Sequence, residues 1–387
     1  MVARTCMLEA GWFAMANSAP HLVLVAHPGD ETFAFSSVCA GADLVSATDG
    51  GDAGQVEAFR QACEQLGAAR STVLSLPDHQ PGRLRVDLLV SRLAALGPYH
   101  RVYTHSPLEK YAQHRDVALA ASQCFDEVWV RAEAGFATDV HGLSRAAFTR
   151  KVALVNRLYT QQIIALAGDD RCCGAEVTGV EAFAPVRFPE VVRAFGYASR
   201  EIRADVPDPW AFHTSPYEQE RYDQTCALLA HLSRDATPTS ILELGACEGA
   251  MTRRLRALFP SAKLRAVEAN PVFARRLREA AGNDPATEIV EASLLDVSLS
   301  ADLILLAEVL YFVAEQLPEI LARMRARYVL TSYDTTFDMR VSRCLRRSGW
   351  VDTFSAQVLP RFEPVDGGTS ALIVRRPGSM IRLWTRA

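Results

Sequence analysis

The sequence has little excess of charge of either sign, since its 387 residues hold 41 Lys and Arg against 45 Asp and Glu. That balance excludes a protein whose main task is to bind the phosphates of a nucleic acid. No apolar run reaches the roughly 20 residues of a membrane-spanning helix. The first twenty residues also lack the charged start and unbroken apolar stretch of an export signal. We therefore predict a cytoplasmic protein with neither a membrane nor a nucleic acid as partner.

The cysteines are nine in number and scattered, and no pair of them has the spacing of zinc ligands. The neighbours Cys172 and Cys173 cannot easily form an ordinary disulfide, so reduced thiols are expected. Hydrophobic residues make up 49% and charged residues 22%, which is typical of a folded globular protein. At this length two domains are more natural than one.

Apolar runs typical of buried parallel strands alternate with amphipathic helical segments along the chain. Between 204 and 210, two Pro and two Asp interrupt this periodicity. We therefore predict two Rossmann-like doubly wound α/β domains in tandem, at 21–204 and 205–387, after an N-terminal extension at 1–20. The predicted strands are 21–26, 42–47, 71–76, 101–104, 240–244, 264–268, 301–306, 327–332 and 370–374. The predicted helices are 55–66, 86–96, one from about 115, 148–167, 217–232 and 251–259.

A possible metal-binding set follows the first predicted strand. His27 and Asp30 lie three residues apart in a turn, at the edge where open α/β sheets bind ligands. His114, after a later strand, would complete two His and one carboxylate, the pattern of a hydrolytic zinc site with an open position for water. The alternative is a turn whose Asp only caps the next helix.

Ordered motifs extend over residues 20–200. They are Ala26-His27-Pro28-Gly29-Asp30-Glu31, Thr48-Asp49-Gly50, Arg60 with Glu64, Leu66-Gly67, Leu76-Pro77-Asp78, Gln113-His114-Arg115 and Tyr159-Thr160-Gln161-Gln162. Together they resemble the PIG-L/LmbE family of zinc-dependent sugar N-deacetylases. The resemblance implies that His27, Asp30 and His114 bind Zn²⁺ and that Arg60 and Asp78 contact the substrate.

Two positions depart from that family's pattern. Gly29 stands where the family has an Asp that acts as general base, and Tyr111 stands where it has a His that stabilises the oxyanion or shuttles a proton. General acid–base help contributes about 10²–10⁴-fold to a rate, so its loss would cripple amide hydrolysis. Tyr111 remains a candidate for a hydrogen bond to the oxyanion. Glu31, Asp49 and Asp116 remain candidates for a replacement base.

A glycine loop between a predicted strand and a predicted helix has the features of a nucleotide cradle. Gly245 and Gly249 allow a sharp turn and a close approach of the backbone to a ligand. Glu268, nineteen residues after Gly249, ends the next strand, where it can accept hydrogen bonds from ribose hydroxyls. Cys247 replaces the middle glycine of a dinucleotide fingerprint, which favours S-adenosylmethionine (SAM) over NAD.

The second half carries further motifs. Segments 241–255 and 301–312 resemble class I SAM-dependent methyltransferases. With Asp208-Pro209-Trp210, Ser215-Pro216-Tyr217-Glu218 and Arg221-Tyr222, residues 205–375 are similar to the nodulation-factor N-methyltransferase (NodS) family, which methylates a free amine on a deacetylated sugar.

The resemblance also implies roles for individual residues. Arg221 would pair with the carboxylate of SAM. Tyr217 and Tyr222 on the same helix, together with Trp210, would flank its sulfonium by cation–π contact. Further cofactor contacts are predicted at Glu243, Gly245, Gly249, Glu268, Ser293 and Glu308. The candidates to hold or deprotonate the amine are His213, Tyr311 and Asp334.

These observations predict a bifunctional enzyme of amino-sugar metabolism. Zinc-dependent N-deacetylation of a sugar nucleotide or glycosylated metabolite would expose the amine that SAM-dependent methylation then alkylates. The alternative is an N-methyltransferase alone, with a degenerate first domain as scaffold or substrate-binding module. A third hypothesis is a regulator that binds SAM or carbohydrate without turnover. The expected partner is a small-molecule amino sugar, and a homo-oligomer remains open.

Overall fold

The computed structural model of the chain describes residues 20–77, 82–160, 177–235 and 237–386. They divide into two compact units. Unit 1 ends at Val206 and includes Thr369–Val374, whereas unit 2 comprises Pro207–Gly368 and Arg375–Ala387. The domain bounds that the sequence predicts, 21–204 and 205–387, stay a prediction. In the described part of the chain, no helix has both the length and the hydropathy to span a membrane.

Unit 1 is built around β1, which is buried because the sequence after His21 is a continuous apolar run. In its sheet, β1 to β5 pair in parallel, and β7 runs antiparallel to both of its neighbours. The elements of unit 1 are β1 (His21–Val25), α1 (Asp30–Ala34), β2 (Asp43–Ser46), α2 (Ala53–Gln65), β3 (Arg70–Val73), α3 (Val86–Leu93), β4 (Arg101–Thr104), α4 (Ala112–Cys124), β5 (Val128–Arg131), β6 (Asp139–Gly142), α5 (Arg145–Leu158), β7 (Val180–Val186) and α6 (Phe188–Ser199).

Unit 2 repeats this plan. The elements are α7 (Pro216–Asp235), β8 (Ser240–Leu244), α8 (Ala250–Leu258), β9 (Lys263–Glu268), α9 (Pro271–Ala281), β10 (Thr287–Glu291), β11 (Leu303–Ala307), α10 (Leu317–Arg323), β12 (Tyr328–Asp334), α11 (Asp338–Arg347), β13 (Trp350–Val358), β14 (Arg361–Pro364), β15 (Ile373–Arg376) and β16 (Ser379–Arg386), with short 3₁₀ turns at Leu310–Val313 and Thr335–Phe337. Alternate residues of β8 and β11 enter two hydrophobic clusters, because successive side chains of a strand point to opposite faces.

The two main sheets have the same strand order, β3-β2-β1-β4-β5-β7-β6 in unit 1 and β10-β9-β8-β11-β12-β16-β13 in unit 2. Each is a doubly wound parallel sheet with one antiparallel strand inserted near an edge, which confirms the predicted α/β class. Strand order reverses between β1 and β4 and again between β8 and β11. Ligands of such sheets bind at the carboxyl ends of the strands beside this reversal.

Several predicted elements differ in extent from those observed. The predicted strand 370–374 is observed as β15, which pairs with β14 in a separate two-stranded sheet. The helix predicted at 148–167 is observed as α5, and residues 161–167 lie outside the described residues, as do Cys172 and Cys173. The six cysteines within the described ranges are free thiols.

Candidate functional site

In unit 1, the turn after β1 and the first turn of α4 bring three predicted metal ligands together. Asp30 Oδ2 lies 3.5 Å from His27 Nδ1 and 3.5 Å from His114 Nε2. One donor atom from each residue falls within a group whose members all lie within 4.8 Å of one another. Two imidazoles and a carboxylate at such spacing are a donor set that suits Zn²⁺.

The turn that places these ligands depends on Gly29, whose φ of +110° is a conformation that side chains with a Cβ rarely adopt. The backbone N–H of Gly29 donates to Glu31 Oε2 at 2.7 Å, and that of His27 donates to Asp30 Oδ2 at 2.9 Å. An aspartate at position 29 would therefore be strained in this turn.

Two further residues of this cluster, His105 and Glu109, had no role in the sequence prediction. The buried ring of His105 stacks on that of His114 with centroids 3.8 Å apart, and its Nε2 lies 3.3 Å from Asp30 Oδ2. Glu109 Oε2 lies 2.5 Å from His114 Nδ1 and 3.4 Å from His105 Nδ1. His105 directly follows β4, the strand beside β1. This position at the carboxyl end of a strand is the feature of the sequence that could have indicated its place in the cluster.

Charges within the cluster set its protonation. Burial opposes ionisation of Asp30, but His114 and His105 outweigh it and hold the pKa of Asp30 well below its usual range. Burial also disfavours the charged form of His105, yet Glu109 and Asp30 raise its pKa to about 9. For His114, burial and then the charge of His105 lower the pKa. A lowered pKa favours the neutral form of His114, which is the form that binds a metal.

The candidate replacement bases are engaged elsewhere. Asp116 is buried and accepts hydrogen bonds from Arg83 at 2.7–3.0 Å and from the backbone N–H of Leu84. Glu31 is buried, accepts hydrogen bonds from Thr32 and Tyr159, and has its pKa raised to about 7 by burial.

The remaining predicted residues of unit 1 are more dispersed. Asp49 Oδ1 accepts the backbone N–H of Gly51 in an exposed loop. Tyr111 precedes α4, and its ring centroid lies 5.2 Å from that of His114, so the structure brings it to the cluster. Arg60 is exposed on α2, and Asp78 lies outside the described residues.

In unit 2, the loop from β8 to α8 forms a cradle of backbone. Gly245 and Gly249 have φ values of +72° and +82°, and Gly249 caps the N-terminus of α8. A Cβ on Gly245 would lie 2.8 Å from Val309 Cγ2, so only glycine lets this loop approach the chain that follows β11. The cradle therefore lies at the reversal of strand order.

Glu268 closes one side of this cradle. It is 8% exposed, and its carboxylate accepts the backbone N–H groups of Cys247 at 2.8 Å and Asn270 at 2.7 Å. Burial raises the pKa of Glu268 against the effect of these hydrogen bonds. The carboxylate is thus fixed at the carboxyl end of β9, where the sequence predicts a contact with ribose.

Glu243 lies one strand away from Glu268 and is also buried. The hydroxyl of Thr252 on α8 donates to Glu243 Oε2 at 2.6 Å. Burial, opposed by that hydrogen bond and reinforced by the charge of Glu268, raises the pKa of Glu243 to about 8. In this structure Glu243 links β8 to α8, and its predicted contact with the cofactor remains a prediction.

This raised pKa predicts a pH-dependent stability. An unfolded Glu has a pKa of about 4.3. The stabilisation that Glu243 gives to the folded state is therefore fully present below that pH and is lost as the pH rises towards about 8. The side chain of Glu243→Gln stays neutral at every pH. We therefore expect the free energy of unfolding to fall less between pH 5 and pH 8 in this variant than in wild type. Urea unfolding followed by tryptophan fluorescence measures this. Equal pH slopes for the two proteins, with the exposed Glu288→Gln as control, would contradict it.

Arg221 and its neighbours form a buried group on α7. Arg221 is 2% exposed and pairs with Glu218 at 2.6 Å, and its guanidinium lies 4.6 Å from the ring centroid of Tyr222. The predicted aromatic contacts are also packed internally. The ring of Trp210 lies against Phe212 and Phe273, and the hydroxyl of Tyr217 donates to the carbonyl of Pro377.

The other predicted residues of unit 2 have identifiable partners. His213 Nε2 lies 3.3 Å from Arg253 Nη2, and Ser293 Oγ accepts the backbone N–H of Leu295. Asp334 Oδ1 accepts the backbone N–H of Thr336 and so caps a 3₁₀ turn. Tyr311 donates to Glu308, which brings these two predicted residues together.

Comparison with known proteins gives a family match that lies mostly in unit 2. Residues 198–359 match the family model described as Nodulation protein S (NodS). Nodulation protein S of Bradyrhizobium diazoefficiens is 35% identical over 118 residues, which are 30% of this chain and 53% of that protein. The chain therefore spans about half the length of this curated relative.

One similar solved structure is that of the N-methyltransferase NodS from Bradyrhizobium japonicum WM9 in complex with S-adenosylhomocysteine (SAH). It is 20% identical to this chain with a TM-score of 0.38, and the match covers 49% of this chain and 97% of that one. The ribosomal protein L11 methylase from Lactobacillus delbrueckii is 15% identical with a TM-score of 0.33, covering 43% and 78%. The resemblance of residues 20–200 to the PIG-L/LmbE family stays a prediction. The resemblance of the C-terminal part to the NodS family is confirmed, since the matching residues 198–359 contain the cradle and Glu268.

Proposed function

We propose that the protein is a SAM-dependent N-methyltransferase. The observation that carries this proposal is that the NodS-matching residues 198–359 contain the whole cradle, from Gly245 to Glu268, at the reversal of strand order. The relatives named N-methyltransferase support transfer to nitrogen, and the glycine cradle supports an adenosine-containing cofactor.

The residues present fit SAM. Gly245 and Gly249 leave backbone and not side chain at the cradle, and the N-terminus of α8 points its free N–H groups at this edge. Glu268 would receive the ribose hydroxyls. When bound, SAM supplies an electrophilic methyl group. Transfer to a neutral amine needs mainly proximity and alignment, so the principal task of unit 2 is to hold the amine in line.

The acceptor that we propose is a free amine on a sugar. The support is the resemblance of unit 2 to NodS and of unit 1 to sugar deacetylases. The test is mass spectrometry of the full chain with SAM and paired panels of amino sugars, one N-acetylated and one with free amines. A mass gain of one methyl group on the free amines is expected. No methyl gain on any amine, with SAH-binding intact, would contradict the proposed activity.

Unit 1 is proposed to bind one Zn²⁺ through His27, Asp30 and His114. The donor set fits, because Glu109 occupies the Nδ1 side of His114 and leaves Nε2 directed towards Asp30. Hydrogen bonding of the second ring nitrogen to a carboxylate is the usual arrangement around a metal-bound His.

The role that we propose for unit 1 is binding of the substrate rather than hydrolysis. Two observations support this role. A side chain at position 29 would be strained, and the candidate bases Asp116 and Glu31 already accept hydrogen bonds from Arg83 and Tyr159. The bifunctional reaction is the second candidate, favoured by the metal donor set. In the same assay with added Zn²⁺, loss of an acetyl group from the N-acetylated panel would establish deacetylation and overturn the binding role.

A further inference from the structure

We propose that Glu308 is the group that receives the acceptor's ammonium and takes its proton. This inference rests on the proposed methyltransferase activity and adds to it a site for a cationic amine. It changes the role predicted for Glu308 from contact with the cofactor to contact with the acceptor.

The position of Glu308 supports this role. Glu308 directly follows β11, beside the reversal of strand order, and the next residue, Val309, is the one against which Gly245 packs. Its φ is +54°, an uncommon backbone conformation for a residue with a side chain. Its backbone N–H donates to the carbonyl of Ser332 at 2.8 Å. Such strain is retained where the surrounding structure holds it, and it clusters at functional sites.

Neighbouring side chains hold the carboxylate of Glu308 in place. Ser332 Oγ and Ser379 Oγ lie 2.7 Å and 2.9 Å from Glu308 Oε1, and both serines are fully buried. The hydroxyl of Tyr311 donates to Oε2. The side chain of Glu308 nevertheless keeps 25% of its surface accessible. Three hydroxyls therefore fix a carboxylate that a ligand can still reach.

The ion pairs around Glu308 are not balanced in charge. Arg221 lies 3.9 Å from Glu308 and 2.6 Å from Glu218. Arg376 lies 4.0 Å from Glu218 and 2.7 Å from Glu363. Within the described residues, this chain of ion pairs thus contains three carboxylates and two guanidiniums. The carboxylates of this largely buried group outnumber its guanidiniums by one, an excess of negative charge that a bound cation or a proton relieves.

Glu308 is the member of the chain that a cation can reach, because the side chains of Glu218 and Glu363 are 9% and 5% exposed. Burial, opposed by the charge of Arg221 and reinforced by that of Glu218, raises the pKa of Glu308. A carboxylate with a raised pKa is also a better proton acceptor than an ordinary one.

An N–H bond of the ammonium breaks and an O–H bond forms on Glu308, leaving a neutral amine beside a neutral acid. The nitrogen lone pair then forms the N–C bond as the methyl–sulfur bond of SAM breaks. The products are a methylated ammonium and SAH, and Glu308 returns its proton to solvent.

The test uses sinefungin, a SAM analogue that carries a primary amine where SAM carries its sulfonium methyl group, so no acceptor needs to be known. Calorimetry compares SAH, SAM and sinefungin binding to the full chain as wild type, Glu308→Gln and the exposed control Glu288→Gln. We expect Glu308→Gln to weaken sinefungin about tenfold or more, the size of a lost charge-assisted hydrogen bond. SAH should be unchanged, and SAM should lose less than sinefungin.

The other outcomes are distinguishable. Unchanged sinefungin binding overturns the proposal. An equal loss of affinity for all three ligands would place Glu308 at the methionyl group. A loss for SAM as large as that for sinefungin would place Glu308 at the sulfonium. Either result also overturns the proposal. Failure of wild type to bind SAH would overturn the proposed function itself. If Glu308→Gln does not fold, Glu308→Asp withdraws the carboxylate by one methylene and is expected to weaken sinefungin selectively.

Discussion

Replacing Gly245 by Ala is expected to weaken SAH binding by about 100-fold, or about 2.7 kcal/mol. With φ at +72°, a residue with a Cβ pays roughly 1–2 kcal/mol in backbone strain. The added Cβ would also lie 2.8 Å from Val309 Cγ2 and 3.1 Å from Val309 Cβ. Both atoms belong to a β-branched side chain that cannot rotate away freely. The loop after β8 must therefore separate from the loop after β11, which opens the cradle.

A matched control separates local strain from damage to the cradle. Gly349, which follows α11, has a φ of +81°, and no atom lies within 4 Å of the Cβ it would gain. Gly349→Ala is expected to lower the melting temperature while leaving SAH affinity at the wild-type value. Calorimetric titration with SAH, alongside thermal melts of both variants, measures the difference. Equal SAH affinity in Gly245→Ala and wild type would refute the role of the cradle.

The sequence predicted the central strands well, because their burial depends on local composition. After His21, β1 is a continuous apolar run, as is β11, and β8 is apolar except for Ser240 and Glu243; such runs identify strands buried on both faces. β13 was not predicted. It is an edge strand with largely exposed residues, and its pairing with β16 depends on chain far away in sequence.

The candidate sites show the same division. His27 and Asp30 are recognisable because a turn of four residues holds both. Glu109 was not, because no motif in the sequence singled it out, although it lies only five residues before its partner His114. The environment of Glu308 depends on Ser332 and Ser379, which β12 and β16 supply through antiparallel pairing. No local pattern around position 308 indicates those hydroxyls.

Replacing His114 by Ala is expected to reduce the Zn²⁺ affinity of unit 1 by about 10²-fold or more, because one of three protein ligands is lost. Glu109→Gln should have an intermediate effect of about 10–100-fold, as is typical when a carboxylate behind a metal-bound His is removed. The reason is geometric, since Glu109 fixes the ring of His114 from its Nδ1 side. The exposed His100→Ala serves as control and should bind Zn²⁺ as wild type does.

Equilibrium dialysis with metal analysis gives the stoichiometry and affinity, and Co²⁺ absorption reports the ligand geometry independently of any catalysis. The expected order of affinity is wild type and His100→Ala, then Glu109→Gln, then His114→Ala. Wild-type affinity in His114→Ala would show that the cluster is a network of ion pairs between Asp30, His105 and Glu109 that needs no metal. The graded order would instead assign a ligand role to His114 and a positioning role to Glu109, whether or not unit 1 hydrolyses an amide.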